Sequence, residues 1–221
     1  MIKAILFDVD GTLIDSNHLH AAAWREAFLH FGVDLPLDRI RSQIGKGGDN
    51  LIPALLPADL AEAKQEEIEN YRGDLFKRDY LPRVVPFPGV RDLFERIAAD
   101  GRKIVLASSA KEDELNYHLG LIGAENLVSG STSADDVEHS KPDPDIFAAA
   151  LAKAGVEAGQ ALVVGDTPYD MQAAAKLGIR TLGFRCGGFP EEALRGAGAA
   201  ELYDGPADLL ARYEASLISR G

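Results

Sequence analysis

Residues 3–13 read KAILFDVDGTL, a short apolar run followed by two aspartates, a glycine and a threonine. The run Lys3–Val9 is almost continuously apolar, which is typical of a parallel strand that is covered on both faces. In open α/β sheets, ligands bind beyond the carboxyl ends of the strands. Asp8 and Asp10 therefore lie where we expect a site to form.

Four further short runs are also rich in strand-forming residues: Lys103–Ser108, Leu127–Gly130, Ala161–Gly165 and Arg180–Phe184. Helical patterns lie between them, at Gly89–Asp100, Lys111–Leu119, Asp145–Ala154 and Tyr169–Leu177. The spacing also predicts N-terminal capping boxes at Ser109–Glu112 and Thr167–Asp170. This alternation of strand and helix predicts a doubly wound, Rossmann-like α/β core with a parallel sheet.

More than ninety residues separate the first predicted strand from the second, far more than a βα connection needs. Four helical patterns fill this interval: Ser16–Phe31, Leu37–Ile44, Asp49–Leu56 and Ala58–Asp79. The proline-rich segment LPRVVPFPG at 81–89 then leads back to the sheet. We therefore expect an α/β core made of residues 1–15 and 82–221, with an all-α domain, residues 16–81, inserted into it.

The composition indicates a globular, cytoplasmic protein. Its 35 acidic and 23 basic side chains give a formal net charge of −12, which opposes binding to nucleic acid or to an anionic membrane. No apolar run approaches the roughly 20 residues that span a bilayer, and we expect no signal peptide. The single cysteine, Cys186, excludes an internal disulfide and a cysteine-cluster zinc site. Four histidines show no metal-ligand spacing: His18, His30, His118 and His139.

Acidic side chains follow two of the predicted strands. Asp8 and Asp10 lie on one side of an extended chain and repel each other unless a cation or a shared proton compensates, although a solvated turn can carry the same pair. Asp166 follows the fourth run, where it and Thr167 are also plausible N-cap residues and Asp170 fits the capping-box acid. If Asp8, Asp10 and Asp166 meet at one sheet edge, their hard oxygen ligands suit Mg²⁺.

Two other segments are candidates for binding an anion. Ser108 and Ser109 stand at the start of a helix, where free N–H groups and a hydroxyl can bind an anion, although a routine N-cap explains them as well. Lys141 precedes Pro142, so its backbone is held extended and its side chain projects from a stiff loop. There the side chain is either solvated or placed to neutralise a phosphate.

The order of four motifs carries a resemblance. The motifs are, in order, DxDGTL, a strand that ends in serine, Lys-Pro, and a strand that ends in GD with a second aspartate four residues on. Together they resemble the haloacid dehalogenase-like superfamily of phosphohydrolases, and the resemblance covers nearly the whole chain. The resemblance implies that Asp8 attacks phosphorus and forms an aspartyl-phosphate, and that Asp10 protonates the leaving oxygen and then activates water. It implies that Ser108 and Lys141 hold the phosphoryl group, with Ser109 as a candidate substrate contact beside them.

The resemblance also implies a metal and a type of chemistry. Mg²⁺ would sit on the Asp8 carboxylate, the Asp10 backbone carbonyl and Asp166, with Asp170 as a second acid that supports it. Dehalogenases of the superfamily lack the second aspartate of the first motif. The presence of Asp10 therefore points to phosphate chemistry.

The predicted helical domain resembles the cap domain of the phosphoglycolate phosphatase and β-phosphoglucomutase type. His20 and Trp24 lie on one helix face, where His20 is a candidate substrate contact and packing under the cap is the alternative for both. The segment Ile44–Asn50, IGKGGDN, resembles the substrate-specificity loop and lacks the spacing of a Walker A loop. In that loop Gly45 and Lys46 are candidate contacts, and Lys46 either meets a remote anion of the substrate or is solvated.

These features lead to three hypotheses. The first is a Mg²⁺-dependent phosphatase for a small phosphorylated metabolite, phosphoglycolate or a sugar phosphate, acting as a monomer or homodimer as is common in the family. The second is a mutase of the β-phosphoglucomutase kind, which Thr12 after Gly11 and the absence of arginine from the segment Gly45–Asn50 disfavour. The third is a non-catalytic binding protein on the same fold, which the presence of every motif residue disfavours.

Overall fold

The structure, a computed structural model, describes residues 1–221. Eight strands form, in chain order β1 Ala4–Phe7, β2 Ile14–Asp15, β3 Val85–Pro86, β4 Lys103–Ala107, β5 Gly130–Thr132, β6 Ala161–Gly165, β7 Arg180–Phe184 and β8 Ala199–Tyr203. Six of them make one parallel sheet in the order β5-β4-β1-β6-β7-β8, while β2 pairs with β3 in a separate antiparallel ribbon. The predicted doubly wound α/β fold is confirmed.

The two faces of the sheet explain why the central strands are continuously apolar. Ile5 and Phe7 of β1 pack into a cluster of 29 buried residues. Ala4 and Leu6, which point to the opposite face, pack into a second cluster of 13 buried residues. Strand β1 is in register with β4 on one side and β6 on the other, so the carboxyl ends of these three strands lie side by side.

Helices cover the sheet and fill the interval between β2 and β3. The α-helices are α1 Asn17–His30, α2 Leu37–Arg41, α3 Gly48–Leu55, α4 Ala58–Leu75, α5 Val90–Ala99, α6 Glu112–Ile122, α7 Asp145–Ala154, α8 Pro168–Lys176, α9 Glu191–Gly196, α10 Pro206–Ala211 and α11 Leu217–Arg220. Shorter turns are π-helical at Phe76–Tyr80 and 3-10 at Leu81–Arg83, Glu125–Leu127, Ala134–Asp136, Ala158–Gln160 and Tyr213–Ala215. None of the helices combines the length and the apolar composition that a membrane crossing requires.

The helices α1 to α4 and the π-helical turn form a helical insert, residues 17–80. A cluster of 13 buried apolar residues, all between positions 21 and 68, gives the insert a core of its own. The β2–β3 ribbon lies at its base, because Ile14 pairs with Pro86 where the chain leaves the sheet and returns to it. The separate core agrees with the expected all-α domain, whose boundaries at 16 and 81 stay a prediction.

The strand predictions differ from the structure in three places. The third strand is Gly130–Thr132 rather than Leu127–Gly130, because a 3-10 turn occupies Glu125–Leu127. Strand β8 was not predicted, since this edge strand, AAELY, has only Tyr203 fully buried and lacks the apolar run of the central strands. The β2–β3 ribbon was missed as well, because two residues on each side are too few to show a pattern.

One of the two predicted capping boxes is present. The Thr167 hydroxyl accepts the N–H of Asp170, and the Asp170 carboxylate accepts the N–H of Thr167. The box at Ser109 is wrong, because α6 begins only at Glu112. The N–H of Glu112 is donated to the carboxylate of Asp135 at 3.0 Å, so a residue distant in sequence supplies the acceptor that Ser109 was expected to be.

Candidate active site

Five of the predicted site residues lie at the carboxyl edge of the sheet. Asp8 follows β1, Ser108 follows β4 and Asp166 follows β6, so three neighbouring strands deliver them to one region. Lys141, from the loop before α7, and Asp170, from the first turn of α8, bond to each other there. All five residues are at most 3% exposed, so none of them is a solvated surface group.

Lys141 is paired with two carboxylates. Its ammonium nitrogen lies 2.5 Å from Asp8 Oδ1 and 2.8 Å from Asp170 Oδ1. Burial opposes the charge of Lys141, but the charges of Asp170 and Asp8 and the hydrogen bonds to them outweigh this effect, so its pKa is raised above the ordinary value. Of the two alternatives for Lys141, the solvated one is therefore wrong, because the side chain is a buried, charge-assisted donor.

A surplus of negative charge surrounds this lysine. Asp8, Asp166 and Asp170 each offer a carboxylate oxygen, and these atoms lie within 4.8 Å of one another. Burial raises the pKa of Asp8 to about 7, with Lys141 opposing the shift and the charge of Asp170 adding to it. Burial and the charges of Asp8 and Asp170 also raise the pKa of Asp166 well above its usual range. Three ionised carboxylates and one ammonium leave a formal charge of −2, which one divalent cation would balance.

The oxygens of Asp170 are already engaged. Oδ1 accepts from Lys141, and Oδ2 accepts from the Thr167 N–H at 3.0 Å and from the Thr167 hydroxyl at 2.7 Å. Asp170 therefore positions Lys141 and closes the first turn of α8. With three donors already on its carboxylate, Asp170 has less capacity left for a metal.

Asp8 and Asp166 keep more capacity for a metal. The Thr12 hydroxyl lies 2.9 Å from Asp166 Oδ1 and 3.2 Å from Asp8 Oδ2, and Asn17 donates to Asp166 Oδ2 at 2.7 Å. Each carboxylate oxygen can accept at two lone pairs, so these donors leave acceptor positions free. Two hard oxygen donors in a region of surplus negative charge fit a small divalent cation.

The carboxylate of Asp10 is directed away from the other three. Its Oδ1 accepts from the Ser16 hydroxyl at 2.7 Å and contacts Nε2 of His20 at 2.9 Å. Burial alone raises the pKa of Asp10, but the electrostatic effect of the neighbouring His20 and His118 side chains and these two hydrogen bonds outweigh it, so the pKa is held below its ordinary value. The structure therefore groups Asp170, not Asp10, with Asp8 and Asp166. The expected metal contact through the Asp10 carbonyl stays a prediction.

His20 of α1 connects Asp10 to the helical insert. Its ring stacks on Phe76 with centroids 4.1 Å apart, and the guanidinium of Arg72 contacts its Nδ1. Because a guanidinium can only donate, Nδ1 is the acceptor and the ring proton resides on Nε2, which donates it to Asp10. Burial lowers the pKa of His20 and so favours this neutral form. The expected contact of His20 with substrate stays a prediction.

The loop predicted to determine specificity touches the core on two sides. Gly45 has φ +102°, and a Cβ there would lie 2.6 Å from Thr167 Cγ2, so both the backbone and the space require glycine. Gly47 donates its N–H to Ser140 Oγ at 2.9 Å, and Asn50 donates to the Ser140 carbonyl at 3.0 Å. The loop thus packs on the segments that carry Lys141 and Asp166.

Lys46 lies on this loop, beside the inner part of the site. Its Nζ donates to Gln43 Oε1 at 2.7 Å and lies 4.7 Å from the centre of the Tyr169 ring. Burial lowers the pKa of Lys46. Its side chain lines the same cavity as Asp8, so contact with a substrate anion stays a prediction that this position allows.

Two adjoining cavities lie between the helical insert and the core. The inner cavity, about 90 Å³, is lined by seven of the predicted residues: Asp8, Asp10, His20, Gly45, Lys46, Ser109 and Lys141. The outer cavity, about 320 Å³, has Ser108 and Ser109 on its wall. Asp166 and Asp170 line neither cavity. The inner cavity leaves space beside Asp8 for a phosphoryl group, and the outer cavity leaves space for a larger group attached to it.

Three residues near the site were missed in the sequence. Arg72 of α4 and Glu114 of α6 line both cavities, and His118 of α6 is fully buried with neither ring nitrogen hydrogen-bonded. Arg72 belongs to a helix that reads as a solvated acidic face. An acid near a helix N-terminus, as at Glu114, is ordinary on electrostatic grounds. No local signal marks any of the three.

The parallel sheet and the buried lysine–carboxylate cluster at its carboxyl edge place the chain among the α/β enzymes. Its sequence matches the family model described as "Haloacid dehalogenase-like hydrolase" over residues 5–184. The chain belongs to that family, as its four motifs predicted.

Relatives and solved structures agree with this assignment. The chain is 29% identical to the validoxylamine A 7'-phosphate phosphatase of Streptomyces hygroscopicus subsp. limoneus, covering 83% of this chain and 85% of the relative. It is 30% identical to the phosphoglycolate phosphatase of Pseudomonas putida, covering 84% and 70%. A crystal structure of a hydrolase from Pseudomonas syringae superposes with a TM-score of 0.90 at 30% identity, covering 96% of this chain and 98% of the other.

Proposed function

We propose that this hydrolase is a Mg²⁺-dependent phosphatase that releases inorganic phosphate from a small phosphorylated metabolite. The observation that carries the proposal is the buried contact of Lys141 with Asp8 beside a cavity whose other wall holds Asp10. Two curated relatives are named as phosphatases, one for phosphoglycolate and one for validoxylamine A 7'-phosphate. Phosphoglycolate and a sugar phosphate are accordingly the candidate substrates for this chain.

In the first half-reaction, an Asp8 carboxylate oxygen attacks phosphorus. The bond between phosphorus and the ester oxygen breaks, the Asp8–phosphorus bond forms, and Asp10 in its acid form gives a proton to the departing oxygen, so that an alcohol leaves. Lys141 and the N–H groups and hydroxyls at Ser108 and Ser109 neutralise the phosphoryl oxygens, which is the main contribution a protein makes to such a transfer.

In the second half-reaction, Asp10 is a carboxylate and takes a proton from a water molecule. The water oxygen bonds to phosphorus, the Asp8–phosphorus bond breaks, and inorganic phosphate leaves with Asp8 restored. Ser16 and His20 both bind Oδ1 of Asp10 and fix the orientation of this carboxylate. The sum of the two halves consumes one water and yields one alcohol and one phosphate.

The charge states in the free protein suit the second half-reaction. Asp10 has a lowered pKa and is a base at neutral pH, whereas the pKa of Asp8 is raised to about 7. Mg²⁺ held by Asp8 and Asp166 would supply the positive charge that keeps Asp8 ionised as a nucleophile and offsets charge on the phosphoryl group. A phosphoryl dianion next to Asp10 favours uptake of the proton that Asp10 needs as an acid.

The helical insert serves as the cap in this proposal, residues 16–81 over a core of residues 1–15 and 82–221. Residues of the insert line the inner cavity together with residues of the core, so the insert keeps bulk water from the reacting groups. The loop contacts to Ser140 and Thr167 hold the insert against the core.

The alternative is a mutase, which shares the nucleophile and the metal but returns the phosphoryl group to a sugar. A mutase holds its sugar phosphate in two orientations and therefore needs a second phosphate-binding group in the insert. The loop Ile44–Asn50 has one lysine and no arginine, and the amide of Asn50 is engaged with Ser140. These contacts favour hydrolysis.

A phosphate-release assay over a panel of phosphorylated metabolites, with Mg²⁺ and with EDTA, tests the proposal. We expect Mg²⁺-dependent, stoichiometric phosphate release by the wild type and none by Asp8→Asn. Conversion of β-glucose 1-phosphate to glucose 6-phosphate with negligible phosphate release would establish the mutase instead. Release at an unchanged rate in EDTA would rule out the metal.

A further inference from the structure

The outer cavity is the part of the site that would receive the leaving group, and its wall is mainly acidic. Its lining carries five carboxylates and three cationic side chains: Asp49, Glu69, Asp74, Glu114 and Glu138, against Arg72, Lys77 and Lys111. At about 320 Å³ the cavity is large enough for a small-molecule site. A leaving group inside it meets a surplus of negative charge.

The three cations of the wall each lie near other protein groups, although Nε of Arg72 has no hydrogen-bond partner. Lys77 donates to Asp113 at 2.7 Å, and Arg72 contacts His20. Burial lowers the pKa of Arg72, and the charges of nearby carboxylates, with Glu114 first among them, oppose this shift. Lys111 is exposed at the rim, where its charge already acts on Glu69.

Glu114 is the residue of this wall that indicates which ligand the cavity binds. It is 4% exposed and lines both cavities, yet its carboxylate makes no hydrogen bond and no ion pair, and only its backbone N–H has a partner, Asp113. A carboxylate on a cavity wall that has no donor of its own is open to a hydroxyl or ammonium group of a ligand. The carboxylate of Glu114 lacks a hydrogen-bond donor, and a leaving group that carries donors would supply one.

Glu69 is a second acceptor on the facing wall. It lies on α4, half-buried against Gly48, where a Cβ on the glycine would lie 2.5 Å from Glu69 Oε1. Gln65 donates to Glu69 Oε1 at 3.0 Å. Burial raises the pKa of Glu69, and the charge of Asp49 adds to this shift. Glu69 and Glu114 thus present carboxylates to the same cavity from the insert and from the core.

We propose that Glu114 and Glu69 determine specificity by accepting hydrogen bonds from the leaving group, which is therefore rich in hydroxyl groups and not anionic. The inference rests on the proposed phosphatase function and narrows its substrate class to monophosphates of neutral or amino sugars and cyclitols. A leaving group with its own carboxylate, such as glycolate, meets the surplus of negative charge on this wall and is disfavoured by like-charge repulsion.

Three esters of similar size test the charge of the leaving group: glucose 6-phosphate, glucosamine 6-phosphate and 6-phosphogluconate. Their leaving groups are neutral, cationic and anionic at pH 7. We expect kcat/KM with Mg²⁺ to be at least roughly tenfold higher for the first two than for 6-phosphogluconate. A preference of the wild type for 6-phosphogluconate, or for phosphoglycolate over 2-hydroxyethyl phosphate, would overturn the inference.

Charge-removing variants locate the selectivity. Glu114→Gln and Glu69→Gln should each raise the ratio of kcat/KM for 6-phosphogluconate to that for glucose 6-phosphate by about threefold or more. The matched control is Glu66→Gln, an exposed residue of the same helix as Glu69, which should leave the ratio unchanged. An unchanged ratio in both test variants, or an equal rise in the control, would contradict the assignment.

Failure of this inference is distinguishable from failure of the proposed function. Phosphate release from a generic aryl phosphate reports the reaction at Asp8, because it requires no hydroxyl-rich leaving group. Its occurrence together with a preference for anionic leaving groups would overturn the inference and leave the phosphatase intact. No release from any ester would overturn both.

Discussion

Lys141→Met tests how far the buried cluster depends on one positive charge. The substitution keeps the length of the side chain and removes the ammonium that lies 2.5 Å from Asp8 and 2.8 Å from Asp170. Removing one partner of a buried ion pair typically costs about 3–5 kcal/mol, because the other charge is left without compensation. Against a usual stability of roughly 5–15 kcal/mol this is a large loss. For a chain of this size it lowers Tm by roughly 6–20 °C.

The loss should depend on pH with a definite sign. Without Lys141, the folded pKa of Asp8 rises further above the value of about 7 that burial already gives it. The folded state then binds more protons than the unfolded state, so the free energy of unfolding falls as pH rises toward the folded pKa. The deficit of Lys141→Met relative to the wild type should accordingly be larger at pH 8 than at pH 5.

Urea unfolding in EDTA at these two pH values measures the effect. The control is Lys64→Met, which removes an exposed ion pair of 2.8 Å with Glu67 on α4 and should cost at most about 1 kcal/mol. The reasoning is refuted if Lys141→Met is no less stable than this control at pH 8. It is also refuted if the deficit is larger at pH 5 than at pH 8.

Three further predictions concern the same site. Asp8→Asn should abolish phosphate release while near-UV circular dichroism stays native, and normal release by the folded variant would exclude Asp8 as nucleophile. In EDTA, the wild-type free energy of unfolding should fall by up to about 4 kcal/mol between pH 4 and pH 7, because burial raises the pKa of Asp8 to about 7. Mg²⁺ should flatten this profile. Urea titrations in EDTA that show no dependence on pH would contradict the prediction. His20→Gln should lower kcat roughly tenfold or more and move the acidic limb of the pH profile of kcat to higher pH, because Asp10 loses a donor that holds its pKa down. The control His18→Gln, at an exposed residue, should change neither kcat nor its pH profile.

The positions of Asp8, Ser108 and Asp166 could be predicted from the sequence because each follows a continuous apolar run. A strand buried on both faces must be apolar throughout, and parallel strands in one sheet end at the same edge. The first polar residue after each run is then placed by topology alone. The same reasoning fails for strand β8, whose edge position leaves most of its residues partly exposed and removes the apolar signal.

Residues that depend on how the insert packs on the core could not be predicted. Arg72 contacts His20 across two helices, and Glu114 lines the cavities from the first turn of α6. Their local sequences are those of ordinary solvated helices. The sequence indicates Lys141 as a candidate, but whether its side chain is solvated or buried depends on its contacts with Asp8 and Asp170, which no local pattern encodes.

The contacts of the insert reach the nucleophile through a short chain of residues. Gly45 packs on Thr167, so that a Cβ at this glycine would lie 2.6 Å from Thr167 Cγ2. The Thr167 hydroxyl donates to Asp170 at 2.7 Å, and Asp170 in turn holds Lys141, which pairs with Asp8. Because each link is a buried contact of fixed geometry, a side chain larger than hydrogen at position 45 would displace Thr167 and loosen the charge that holds Asp8. The glycine at position 45 thus connects the placement of the insert to the electrostatics of the reacting carboxylate.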